Sequence, residues 1–67
     1  MEITVNQETY LVEDICVVQQ VLTHVLKLPL NGIAVAINQQ IIARNTWDSH
    51  LLRSGDHLTI IKATQGG

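Results

Sequence analysis

Val18-Gln19-Gln20-Val21-Leu22-Thr23-His24-Val25-Leu26 carries its apolar residues at positions 18, 21, 22, 25 and 26. That i, i+3, i+4, i+7, i+8 series lines one stripe, so the segment predicts an amphipathic helix of about three turns with one face against a core. Asp14 is placed to cap the first amides, whereas a start at Cys16 puts Gln19 at the third helical position; the expected start lies between the two. Pro29 is expected to end the helix, because the residue before a proline, Leu28, is biased away from the helical region. Asn31-Gly32 then supplies a turn that tolerates positive φ.

The period changes on both sides of this helix. Ile3 and Val5 alternate with Glu2 and Thr4, and Thr9-Tyr10-Leu11-Val12 follows Asn6-Gln7-Glu8, which reads as two strands and a tight turn. Ile33, Val35 and Ile37 alternate with Ala34, Ala36 and Asn38, and after Gln39-Gln40 the chain resumes as Ile41-Ile42-Ala43, a second hairpin. Residues 44–54 follow neither period; Trp47, Leu51 and Leu52 are expected to tuck beneath the sheet in an irregular or single-turn segment. Ser54-Gly55-Asp56 reads as a turn, and Leu58-Thr59-Ile60-Ile61-Lys62 as a last strand whose partners lie far back in the chain.

The resulting order is ββαββ, coil, β: an α+β fold in which a mixed sheet of four to five strands packs on one helix. A single helix covers a single sheet face. Alternation assigns Ile3, Val5, Val35, Ile37, Leu58 and Ile60 to the covered side. It leaves Ala34, Ala36, Thr59 and Ile61 on the other, with Ile41 or Ile42 in addition, and an apolar outer face made of Ala34, Ala36, Ile42, Thr59 and Ile61 is a candidate partner-docking surface.

Composition narrows the function. Sixty-seven residues make one domain, which buries only about 60% of its unfolded surface, so no deep enzyme cleft is expected. A 46% hydrophobic chain, supplied by Val, Ile, Leu and Ala with Trp47 and Tyr10 as its aromatics, is a folded domain. Six acidic residues stand against four basic ones, with no Lys/Arg stripe, so nucleic-acid binding is not expected. The start, Met1-Glu2-Ile3-Thr4-Val5, lacks the basic residues and long apolar run of a secretory signal; no segment approaches a membrane span, and a cytoplasmic location is expected.

Cys16 stands alone, which rules out an internal disulfide and a multi-thiolate zinc site. It has the setting of a small, partly buried hydrophobe more than of a persulfide acceptor. His24, His50 and His57 show no metal-ligand spacing, and Asp48-Ser49-His50 is adjacency without triad geometry. Trp47 is expected to anchor the irregular segment. Arg44, Arg53 and Lys62 are either solvated or aimed at acidic patches on partners, and sequence does not rank the two.

Residues 1–62 therefore read as the globular domain and residues 63–67 as a flexible tail. Ile60-Ile61-Lys62-Ala63-Thr64-Gln65 leads into Gly66-Gly67, and neither glycine carries a Cβ to clash with a narrow channel that would admit the α-carboxylate.

These residues together (Gly32-Ile33-Ala34-Val35-Ala36-Ile37-Asn38, then Arg44 and Trp47, Leu52 with Ser54-Gly55-Asp56, and 60–67) resemble the ThiS family of sulfur carriers over the whole length. The resemblance implies a ubiquitin-like β-grasp fold. It implies a protein cosubstrate that is not itself an enzyme and binds no cofactor or metal of its own. An ATP-using, ThiF-type partner would adenylate the Gly67 carboxylate. A persulfide donor of cysteine desulfurase or rhodanese type would convert the adenylate to a thiocarboxylate for a ThiG-type thiazole synthase. Ala63, Thr64, Gln65 and Gly66 would enter the partners' active sites. The Asn38-Gln39-Gln40 turn departs from the family in lacking a glycine, and Val12 to Cys16 matches nothing distinctive in it. The alternatives are a MoaD-like sulfur donor, the small subunit of molybdopterin synthase; a ubiquitin-like protein modifier that forms isopeptide bonds; and a passive β-grasp module.

Overall fold

The computed structural model describes residues 1–62. Two hairpins flank a central strand. The first pairs β1 (Glu2–Val5) with β2 (Glu8–Leu11), and the second pairs β3 (Ile33–Ile37) with β4 (Gln40–Ile41), both antiparallel. Each turn has two residues with positive φ: Asn6 at 50° and Gln7 at 73°, Asn38 at 49° and Gln39 at 72°. Positive φ at both positions matches the right-handed twist of the strands, and asparagine enters this region more readily than other non-glycine residues. The turns are thus one residue shorter than the sequence suggested, and Glu8 and Gln40 belong to strands.

The last strand, β5 (His57–Lys62), sits in the middle of the sheet, whose order is β2-β1-β5-β3-β4. It runs parallel to β1, with Val5 opposite Leu58, and antiparallel to β3, with Val35 opposite Ile60 and Ile33 opposite Lys62. This is a five-stranded mixed sheet on one helix, the β-grasp arrangement. Ile3, Val5, Val35, Ile37, Leu58 and Ile60 all enter the core, as alternation required.

The helix departs from expectation at both ends. Its α-helical part, α1, spans Val18–Gln20, and the chain continues as a π-helical turn, Val21–Val25. Neither Asp14 nor Cys16 starts it. The first free amides instead donate to carbonyls of the irregular segment, Val18 N–H to His50 O (3.0 Å) and Gln19 N–H to Trp47 O (2.9 Å), while Gln20 Oε1 accepts from Val17 N–H (2.9 Å). Tertiary acceptors satisfy what an aspartate cap would have satisfied. The helix also closes before Pro29 acts: Lys27 turns to φ 54° and Leu28 N–H folds back to Leu22 O (2.8 Å). The wider π turn rotates Val25 away from the core, so Val18, Val21 and Leu22 are fully buried while Val25 is 37% exposed.

Beyond β4 a single 3₁₀ turn, Arg44–Thr46, delivers Trp47 beneath the sheet, where it is 2% exposed and donates Nε1–H to Ile42 O (3.1 Å). Leu52 is buried beside it, but Leu51 faces solvent at 58% exposure, contrary to its expected place in the core. A bridge between Val17 and Leu51 fixes this register, so two adjacent leucines point to opposite sides. Among the described residues no helix is long and apolar enough to cross a membrane.

Trp47 is the largest fully buried side chain. Trp47→Ala is expected to lower unfolding stability by about 3–5 kcal/mol. Urea unfolding followed by far-ultraviolet circular dichroism checks this, since the substitution removes the chain's one tryptophan fluorophore.

Candidate functional site: the open sheet face and the root of the tail

One sheet face lies under α1 and Trp47; the other is open. On β5 the alternation is sharp, with Leu58 and Ile60 buried and Thr59 and Ile61 exposed. Register places Ala36 opposite both Thr59 and Ile41, and Ala34 opposite Ile61. Directly opposed residues share a face, so Ala34, Ala36, Ile41, Thr59 and Ile61 form one surface. The two alanines make its shallow floor. Ala36 is covered by its neighbours to 7% exposure, while Ile41 (69%) and Ile61 (52%) stand up from it.

Ile42 does not belong to this surface. It is half-buried and packs against the core, its N–H donating to Val35 O (2.9 Å) and its carbonyl accepting from Trp47. The two-residue turn causes this: counting one residue fewer in the loop reverses which of Ile41 and Ile42 faces outward. The positive-φ tolerance of Asn38 was the sequence signal that could have chosen Ile41.

Several of the polar residues weighed above make local contacts. Arg44 lies over the Trp47 ring, 5.9 Å from its centroid, and donates to Asn31 Oδ1 (2.6 Å), an arrangement that braces the 3₁₀ turn. Ser49 Oγ donates to Thr46 O (3.3 Å), and the His50 carbonyl caps the helix. His57 Nδ1 lies 2.7 Å from Thr4 Oγ1 across the β1–β5 pair, and His24 Nδ1 3.1 Å from Thr23 Oγ1. Arg53 and Lys62 are exposed. Among the described residues no group of three His, Cys, Asp or Glu side chains could hold a metal ion.

Cys16 is 4% exposed, and its Sγ lies 3.6 Å from Val17 O. Burial pushes its thiol value up, and the nearby Glu13 carboxylate adds to the rise, partly opposed by the Met1 ammonium. This favours the inert thiol over the thiolate.

β5 ends at Lys62 opposite Ile33, so it carries the chain to the rim of the open face. Ala63, Thr64, Gln65, Gly66 and Gly67 lie outside the described residues.

The fold is that of two solved structures from Geobacter metallireducens. The crystal structure of its thiamine biosynthesis protein ThiS superposes with a TM-score of 0.85 at 22% identity, covering both chains completely. A solution structure of a thiamine biosynthesis protein from the same organism gives a TM-score of 0.78 at 24% identity, covering all of this chain and 88% of the other. The sulfur carrier protein ThiS of Escherichia coli (strain K12) is 42% identical over 36 residues, so the match spans about half the length of each protein. The ThiS family model matches residues 1–67. The architecture is a ubiquitin-like β-grasp, and the chain belongs to the ThiS family.

Because the fold raises the thiol value of Cys16, its contribution to stability is complete below the unfolded thiol value and is lost as pH rises through the folded one. Native protein at about pH 8 is expected to react with an aromatic disulfide reagent far more slowly than protein unfolded in urea. Equal rates would show the thiol to be open.

Proposed function

We propose that this protein is a sulfur carrier for thiamine biosynthesis, a cosubstrate whose reactive atom is the Gly67 carboxylate. Membership of the ThiS family carries the reading, through a match that spans the whole chain and takes in Gly66-Gly67. A carboxylate is a poor electrophile, because its charge is delocalised and an oxide anion would have to depart. A ThiF-type partner removes that obstacle: a carboxylate oxygen attacks the α-phosphate of ATP, pyrophosphate leaves, and the acyl-adenylate retains AMP as a good leaving group. The terminal sulfur of a protein persulfide then attacks the carbonyl and expels AMP. A second thiol reduces the acyl disulfide by two electrons, which frees a thiocarboxylate at Gly67 for a ThiG-type thiazole synthase.

The chain supplies orientation. Docking through Ala34, Ala36, Ile41, Thr59 and Ile61 would hold β5 against a partner while residues 63–67 enter its channel. Five extended residues reach about 16–18 Å, at about 3.3–3.6 Å each. Contact energy remote from the carboxylate thus serves to place it. Without Cβ atoms, Gly66 and Gly67 would fit a narrow channel.

Pyrophosphate release by an adenylating enzyme of this type, with the protein as substrate, tests the reading. Deleting Gly67 is expected to abolish release, and Gly67→Ala to slow it through crowding. Undiminished release from the shortened chain would remove Gly67 from the mechanism. Ile61→Glu places a charge on the open face at an exposed position. It is expected to raise KM by about tenfold or more with little change in Tm, as loss of a buried apolar anchor does at an interface; an unchanged KM would move docking to another surface.

A further inference from the structure

β1 is too short to accompany β5 to its end. The parallel ladder between them advances two residues at a time, with Thr4 N–H donating to Asp56 O (3.0 Å) and Asn6 N–H to Leu58 O (2.9 Å). The next step requires an acceptor and a donor opposite Ile60, but at Asn6 the backbone has already turned away, with φ at 50°. The Asn6 side chain takes over. Its Oδ1 accepts from Ile60 N–H (2.9 Å) and its Nδ2 donates to Ile60 O (3.4 Å), so one side-chain amide stands in for the missing peptide group. Ile60 is 8% exposed, and its backbone groups would otherwise be left without partners near the core.

Asn38 performs the matching task at the other end of β5. It too opens a two-residue turn, and its Oδ1 accepts from His57 N–H (3.0 Å) where β3 has ended. The two asparagines grip the first and the fourth residue of the strand. Of the two, Asn6 holds the end of β5 that leads toward residue 63.

We propose that Asn6 is a positioning residue for the carrier reaction: by clamping Ile60 it makes the last rung on the β1 side of β5, and so holds in place the strand from which the chain continues toward Gly67. The proposal rests on the sulfur-carrier reading above.

Asn6→Gly separates the clamp from the turn, since glycine adopts φ near 50° without strain yet carries no amide. Asn6→Asp keeps an acceptor for Ile60 N–H, and Asn38→Gly removes the clamp at the far end as a control. In adenylation kinetics, Asn6→Gly is expected to lower kcat by about ten- to a hundredfold, the scale of a misplaced reacting group, with KM unchanged because the open face is intact. Asn6→Asp should restore most of kcat, and Asn38→Gly should leave it at the wild-type value. Amide hydrogen exchange should show faster exchange at Ile60 in Asn6→Gly and at His57 in Asn38→Gly. Wild-type kcat for Asn6→Gly, or an equal fall in Asn38→Gly, would overturn the positioning role. Unchanged protection of Ile60 in Asn6→Gly would overturn the clamp itself. If the wild-type chain were not adenylated at all, the sulfur-carrier reading and the presentation role would fall together, and exchange at Ile60 would still decide the clamp.

Discussion

The parallel pairing of β5 with β1 is the constraint on which the rest of the molecule depends. It joins Val5 to Leu58 and Thr4 to His57, residues from opposite ends of the chain, and so closes the sheet only when its last segment is in place. Without β5 the two hairpins have no common partner, because β1 and β3 do not touch each other in the sheet. Isolated two-stranded hairpins are marginal in water. Leu58 and Ile60 contribute the central pair of apolar side chains, and burying each is worth about 1.5–3 kcal/mol. The strand that organises the core is also the last strand of the described residues, and it leads toward residue 63.

A second consequence is asymmetry. The helix and the segment around Trp47 both lie on one side of the sheet, and they are linked to each other by the carbonyls of Trp47 and His50 at the helix start. The opposite face keeps an alanine floor between two exposed isoleucines. The single thiol is buried, and His57 and His24 make local contacts with Thr4 and Thr23.

Much of this was legible in the residues. Alternation of large with small or polar residues in Ile3-Thr4-Val5, Ile33 to Ile37 and Leu58-Thr59-Ile60 indicated which side chains enter the core, because a period of two admits only two assignments. Local rules failed where tertiary contacts outcompeted them. The carbonyls of Trp47 and His50, distant in sequence, displaced Asp14 as the helix cap; the π turn moved Val25 off the stripe; the bridge at Leu51 turned that side chain outward. The choice between Ile41 and Ile42 hinged on a loop one residue shorter than it looked, and the roles of Asn6 and Asn38 required knowing which strand lay beside each turn. Membership of the ThiS family was legible through the resemblance spread along the whole chain, whereas the composition alone pointed only to a small folded domain.

The central claim is that sulfur is carried on Gly67, and the intact mass of the protein tests it most directly. After incubation with ATP, a ThiF-type adenylating enzyme and a persulfide source, followed by a thiol, the account predicts replacement of one oxygen by sulfur, located by fragmentation to Gly67. An unchanged mass, while another sulfur carrier is converted in parallel by the same enzymes, would contradict it.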